Sequence, residues 1–108
     1  MPDADLGLQV FLMRKQAVLK DNCRVLLVDR DKNRDSMERY GLSFEGICKR
    51  LAKLGPEHYW KGPERDDDGS EGSLWFFFYD EFGARFYIKL KLFKMDGSDW
   101  LKVLSYHD

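Results

Sequence analysis

Hydrophobic positions follow two different periods along the chain. Over residues 8–20, Leu8, Phe11, Leu12, Val18 and Leu19 fall on one helical face, interrupted by Lys15, which predicts a first helix ended by Asp21-Asn22. Residues 23–28 (CRVLLV) read as a short buried strand. Residues 29–40 are highly charged and predict a mostly exposed helix that turns Met37 and Tyr40 inward and stops at Gly41. Ser43 is placed as an N-cap. Behind it, Phe44, Ile47, Leu51 and Leu54 recur at helical spacing before Gly55. Pro56 opens a further helical turn that carries His58, Tyr59, Trp60 and Lys61. Residues 62–72 read as a polar loop.

Beyond residue 72 the period becomes two. Residues 73–80 are too apolar to have a wet face, and residues 81–83 form a hairpin turn. Residues 84–95 then alternate strictly. Phe86, Ile88, Leu90 and Leu92 point one way, and Arg85, Tyr87, Lys89 and Lys91 the other. A second turn at 96–99 leads to a last strand over 100–107, on which Val103, Ser105 and His107 share a face. Helices followed by a meander predict an α+β fold, with N-terminal helices packed on one face of an antiparallel β-sheet. Neither a repeat nor a linker divides residues 1–108, so one domain is expected.

Composition narrows the class. Apolar residues make up 44 % of the 108 residues, enough for a core without metals or disulfides. The first stretch mixes acids and bases with its apolar residues, unlike a signal peptide. The longest apolar run, residues 74–79, is far below the ~20 residues of a membrane span. The two cysteines, Cys23 and Cys48, lie far apart, which argues against a disulfide framework or zinc knuckle. A reducing cytoplasm is the expected location, without membrane contact.

The net charge of −1 conceals a polarised chain. Residues 64–71 hold five acids and one base, whereas residues 84–94 hold four bases and no acid. A local cationic strand can hold phosphates on a near-neutral chain. Arg85, Tyr87, Lys89 and Lys91 succeed one another at about 7 Å on their face. That pitch suits the phosphates of a nucleic-acid strand, and Tyr87 can stack a base or handle a proton. A plain solvated face is the alternative. His107 is the only histidine in a strand and a general acid–base candidate, set against a frayed terminal histidine. His58 reads as structural or surface. In the acidic loop, Glu64, Asp66, Asp68 and Gly69 match the first half of a calcium loop, but its twelfth position is Trp75, so no metal is expected. Phosphate-binding glycine loops, nucleophile elbows and HExxH are missing, and no cofactor is expected.

From Gly41 onward, GLSFEGICKRLAKLGPEHYWK, LWFFFY, RFYIKLKLF and VLSYH follow in an order and spacing that resemble the MqsR-type toxins of bacterial toxin–antitoxin pairs. The resemblance covers residues 29–108, about three quarters of the chain. It implies a RelE/ParE-like fold and a metal-independent endoribonuclease, an mRNA interferase. In such an enzyme the ribose 2′-hydroxyl attacks the adjacent phosphate. The partners it implies are mRNA and a cognate antitoxin protein, with the ribosome left open. The family's catalytic positions fall on Lys61, Tyr87 and His107, and the strand adds Arg85, Lys89 and Lys91 as substrate-binding residues. Two departures stand out: Phe76 occupies the place of a glutamine, and His107 that of a lysine. Other RelE-like toxins also carry a functional histidine near the C-terminus. Two other readings use the same basic face: a non-catalytic module that docks an acidic protein, and a gyrase-directed ParE-like toxin. In the nuclease reading, Tyr87, Lys89, Lys61 and His107 converge on one side of the sheet with Arg85 and Lys91 flanking, and residues 64–71 form a flexible, metal-free lid.

Overall fold

The structure, a computed structural model, describes residues 2–21 and 24–108, with side chains described from Leu6 on. Helix α1 (Pro2–Leu19) buries Leu8, Phe11, Val18 and Leu19. Lys15, which interrupts that stripe, is itself fully buried. Its ammonium donates to the carbonyls of Leu51 (2.7 Å) and Leu54 (3.1 Å) and to Gln16 Oε1 (2.7 Å). Carbonyls at a helix C-terminus have no intrahelical partner and attract a cation. Lys15 therefore caps helix α3 (Phe44–Lys53) from within the core, a role its position in α1 does not reveal.

Burial lowers the Lys15 pKa from 10.5 to about 8. Between those two values the folded chain has released a proton that the unfolded chain keeps, so this group makes stability rise with pH. We expect urea titrations across that window to show the wild-type protein gaining on Lys15→Met as pH rises. Parallel stability curves would refute the assignment.

Ser43 caps α3 by accepting a hydrogen bond from the Gly46 amide at 2.9 Å, and Ile47, Cys48 and Leu51 face the core. Phe44, expected on that face, stands at the surface. Helix α2 (Asp31–Tyr40) ends at Gly41, whose left-handed conformation (φ 65°) suits glycine. Its fully buried residues are polar, Asn33 and Ser36, while Met37 and Tyr40 turn inward as expected and pack, partly buried, against the core. Asn33 donates to the carbonyls of Val28 (3.0 Å) and Leu104 (3.2 Å) and accepts from the Tyr106 amide (3.0 Å).

The sheet has five strands in the order β1 (Val25–Leu27), β5 (Ser98–His107), β4 (Ala84–Met95), β3 (Ser73–Glu81), β2 (Tyr59–Arg65). The β3–β4–β5 meander is antiparallel as expected, but β1 pairs in parallel with β5, so the sheet is mixed. Strand β1 is shorter than the expected 23–28, and Cys23 lies outside the described residues. The helical turn after Gly55 is only the 3₁₀ segment Pro56–His58; β2 then takes up Tyr59, Trp60 and Lys61, expected in that turn, and residues 62–65, expected in a loop. Proline is tolerated there because β2 is an edge strand, and its register with β3 is irregular around Gly62-Pro63. Gly62 is required: a Cβ there would lie 2.7 Å from the Leu74 carbonyl oxygen.

Two-residue turns with positive φ at both positions, Phe82-Gly83 and Asp96-Gly97, match the right-handed twist of the strands they join. One face of the sheet (Phe77, Phe86, Ile88, Leu90, Leu101, Val103, Tyr106) forms the core with Phe11, Val18, Ile47 and Leu51. The resulting fold is α+β. Among the described residues no helix is long and apolar enough to cross a membrane.

Candidate nucleic-acid interface

The opposite face of the sheet, whose apolar cluster includes no helix residue among the described residues, holds most of the residues singled out by chemistry. A small apolar floor of Leu74, Phe76 and Leu104 lies there, with Val28 and Tyr87 packed against it. Polar and aromatic groups stand on this floor in rows that cross the strands. In the first row Lys61 pairs with Phe76, Phe76 with Lys89, and Lys89 with Ser105. In the second, Phe78 pairs with Tyr87 and Tyr87 with His107.

His107 reaches this face through a β-bulge. The register with β4 shifts between Lys89 and Leu90, so that Ser105 opposes Lys89 while Val103 opposes Leu90. Val103 therefore points into the core, not to the side of Ser105 and His107 as strict alternation required. The Tyr87 and His107 rings lie 5.5 Å apart. Beside them, α2 holds the end of the strand: the Asp108 carboxylate accepts from Ser36 (2.7 Å), Tyr40 (2.8 Å) and Arg39 (2.9 Å). The Ser36 and Tyr40 hydroxyls keep the Asp108 carboxyl low, at about 2.

Trp60 completes the aromatic row. Its ring lies 4.9 Å from Phe78, 5.8 Å from Tyr87 and 5.9 Å from Phe76, yet 44 % of its surface is exposed. Phe76 and Tyr87 meet the tryptophan at their edges, Phe78 lies tilted against it at 34°, and its exposed part is open to a further flat ring. Lys61 Nζ sits 4.6 Å from the Trp60 ring centre and 4.7 Å from that of Phe76, and Lys89 Nζ lies 5.8 Å from the same Phe76 ring. Phe76 thus serves as the floor beneath two ammonium groups, held by cation–π attraction. Lys61 also meets Glu64 at 3.3 Å, both half exposed.

Two expected members of the cationic face are otherwise engaged. Lys91 does not flank the site as a free cation: its side chain is 2 % exposed and its ammonium bonds Asp66 (2.6 Å) and Ser70 (2.5 Å). Asp66, the first loop residue after β2, folds over this face to reach it, and the Lys91 hydrogen bond lowers the Asp66 pKa to about 2. Residues 66–71 are therefore a strap anchored over the lower part of the face, not the unanchored lid expected from composition. Asp66 and Asp68, the potential calcium ligands, close the loop instead by accepting from the amides of Asp68 and Ser70. Arg85 is exposed but forms a two-bond pair with Asp80 (2.8 and 3.1 Å), which neutralises it. His58 is structural: its Nδ1 accepts from the Gly55 amide at 3.0 Å.

Arg30 was not marked by the sequence pattern. It precedes α2 and its guanidinium reaches Ser105 Oγ at 3.4 Å, at the far end of the Lys61–Phe76–Lys89–Ser105 row. Among the described residues neither Arg30 nor Lys89 has a carboxylate partner.

Comparisons with protein-family models, with curated proteins and with solved structures find no match to this chain.

Proposed function

We propose that the open face is the active surface of a metal-independent endoribonuclease, an mRNA interferase toxin with a RelE-like arrangement of helices and sheet. The observation that carries this reading is the convergence of Lys61, Tyr87, Lys89 and His107 on one open face, with Tyr87 and His107 direct partners on neighbouring strands. Support also comes from Trp60, whose exposed ring lies beside Tyr87 and suits the stacking of an unpaired base.

The chemistry follows from these groups. The ribose 2′-oxygen attacks the adjacent phosphorus as its proton passes to solvent water, the P–O5′ bond breaks, and the products are a 2′,3′-cyclic phosphate and a 5′-hydroxyl. The His107 imidazole, beside Tyr87, donates the proton that the leaving 5′-oxygen takes up. Lys61 and Lys89 stabilise the additional negative charge of the phosphorane. Tyr87 orients the ribose between them. Phe76 in place of a hydrogen-bonding glutamine changes how the two lysines are held, by a ring beneath them, and removes one polar contact to a base.

Toxicity relieved by a protein antitoxin, with mRNA as substrate in the cytoplasm, belongs to the same proposal. Purified protein incubated with mRNA in excess EDTA is expected to cut it and leave 5′-hydroxyl ends. RNA that stays intact under these conditions and also when translated on ribosomes contradicts the enzyme assignment, and unimpaired growth of bacteria induced to express the chain contradicts the toxin assignment.

A further inference from the structure

Along β4 the row of cations is interrupted at both ends, by Asp80 on Arg85 and by Asp66 on Lys91. Across the strands Lys89 and Arg30 have no carboxylate partner among the described residues, and Lys61 meets Glu64 through one contact of 3.3 Å without the two-bond pairing of Arg85. Lys61 on β2, Lys89 on β4 and Arg30 beyond β5 lie on one transverse line, joined by the register Lys61–Phe76–Lys89–Ser105 and by the Arg30 contact to Ser105. Strands lie about 4.8 Å apart, so Lys61 and Lys89, two strands apart, stand roughly 10 Å from each other at the backbone. The parallel line one step away is aromatic: Trp60, Phe78, Tyr87 and then His107. The next line down, Leu74–Lys91–Lys102, is bordered by the acidic strap, with Ser70 and Glu71 beside Lys91 and Lys102. The acidic residues 66–68 and 71 repel a polyanion from that side.

We propose that a single nucleic-acid strand crosses this sheet at right angles to the β-strands, from Trp60 on β2 to Arg30 beyond β5. Its phosphates follow Lys61, Lys89 and Arg30. A base stacks on Trp60, and the backbone between passes Tyr87 and His107. The strap sets the lower boundary of the track, which makes Arg30 and Trp60 the two end contacts and leaves Lys91 and Lys102 outside it. This rests on reading the face as a nucleic-acid surface, and it adds to that reading a direction, a footprint and two contact residues. A base stacked on Trp60 at one end fixes which nucleotide of an unpaired segment reaches His107. Trp60 thereby sets the register of the strand, and Arg30 contributes affinity through a phosphate; neither contact prefers a base.

Binding of a short fluorescein-labelled oligodeoxyuridylate separates the two claims, because it lacks the 2′-hydroxyl and its retention does not depend on cleavage. Affinity is measured by polarisation over a range of salt concentrations for wild type, Arg30→Gln, Lys61→Gln, Trp60→Ala and Lys102→Gln. All four side chains are at least partly exposed, so folding is expected to survive, and circular dichroism checks it. Arg30→Gln and Lys61→Gln should each reduce the salt slope by about 0.7, the value for one phosphate contact on a single strand. Trp60→Ala should weaken binding about 5–150-fold with little change in slope. Lys102→Gln should match wild type. If wild type binds and Lys102→Gln lowers the slope as much as or more than Arg30→Gln, the strand does not cross as proposed. An unchanged affinity in Trp60→Ala overturns the stacking contact. If wild type retains no oligonucleotide even at low salt, the nucleic-acid reading itself fails and an acidic protein becomes the partner to seek.

Discussion

Replacing His107 by alanine should slow RNA cleavage by ~10²–10⁴-fold, the usual cost of losing a positioned proton donor, while RNA affinity changes little. The split follows from the geometry. Lys61, Lys89 and Arg30 are untouched by the change and remain to hold phosphate, whereas the imidazole of His58 is engaged by the Gly55 amide. The bulge between Ser105 and Val103 turns His107 to the side of Tyr87, and the Asp108 contacts to α2 hold the adjacent backbone. His107→Lys keeps a proton donor at the position, so it should recover part of the rate. Single-turnover cleavage at saturating enzyme reads the chemical step, and filter retention of a non-cleavable strand reads binding. An alanine variant that cuts at the wild-type rate would remove His107 from the chemistry.

Lys91→Ala should act on stability and not on the RNA. It leaves Asp66 under the strap without its cation, and breaking a buried pair on one side costs about 3 kcal/mol. The pH dependence supplies a second signature. Asp66 titrates near 3.8 in an unfolded chain and is lowered to about 2 in the fold, chiefly by the Lys91 hydrogen bond. Its stabilisation is thus present above about pH 4 and is lost as pH falls through about 2. Urea midpoints should show a large deficit for Lys91→Ala at neutral pH that shrinks on acidification, with no change in the salt slope of RNA binding. A lowered salt slope in a fully stable Lys91→Ala protein would return Lys91 to the RNA-contacting set.

The contrast between Lys89 and Lys91 marks how far alternation can be read. Both fall on the same face by the period of two, and the sequence pattern treats them alike. What separates them is Asp66, twenty-five residues upstream, and the fold of its loop, which no local pattern encodes. Strand β4, the flanking turns and the α3 cap were legible because period, glycine and Ser43 act locally. Strand β2 was hidden by Gly62-Pro63 and by charges, features that usually mark a loop but are tolerated on an edge strand. Lys15 resembled a flaw in a helical stripe because its partners are the α3 carbonyls, supplied by tertiary packing. The parallel pairing of β1 with β5 and the bulge near Leu104 likewise depend on contacts between distant segments. Grouping Lys61, Tyr87 and His107 rested on family resemblance joined to alternation. Their common face in the fold arises from β2 and the bulge, which neither signal contained.

The most direct test of the open face as the working surface is amide chemical-shift mapping during titration with a single-stranded RNA whose 2′-hydroxyls are replaced by hydrogen. The account predicts the largest shifts at Trp60, Lys61, Phe76, Tyr87, Lys89 and Ser105 to His107, with α1 and α3 unmoved. Shifts confined to the helical side, or to the strap and Lys102, would contradict it.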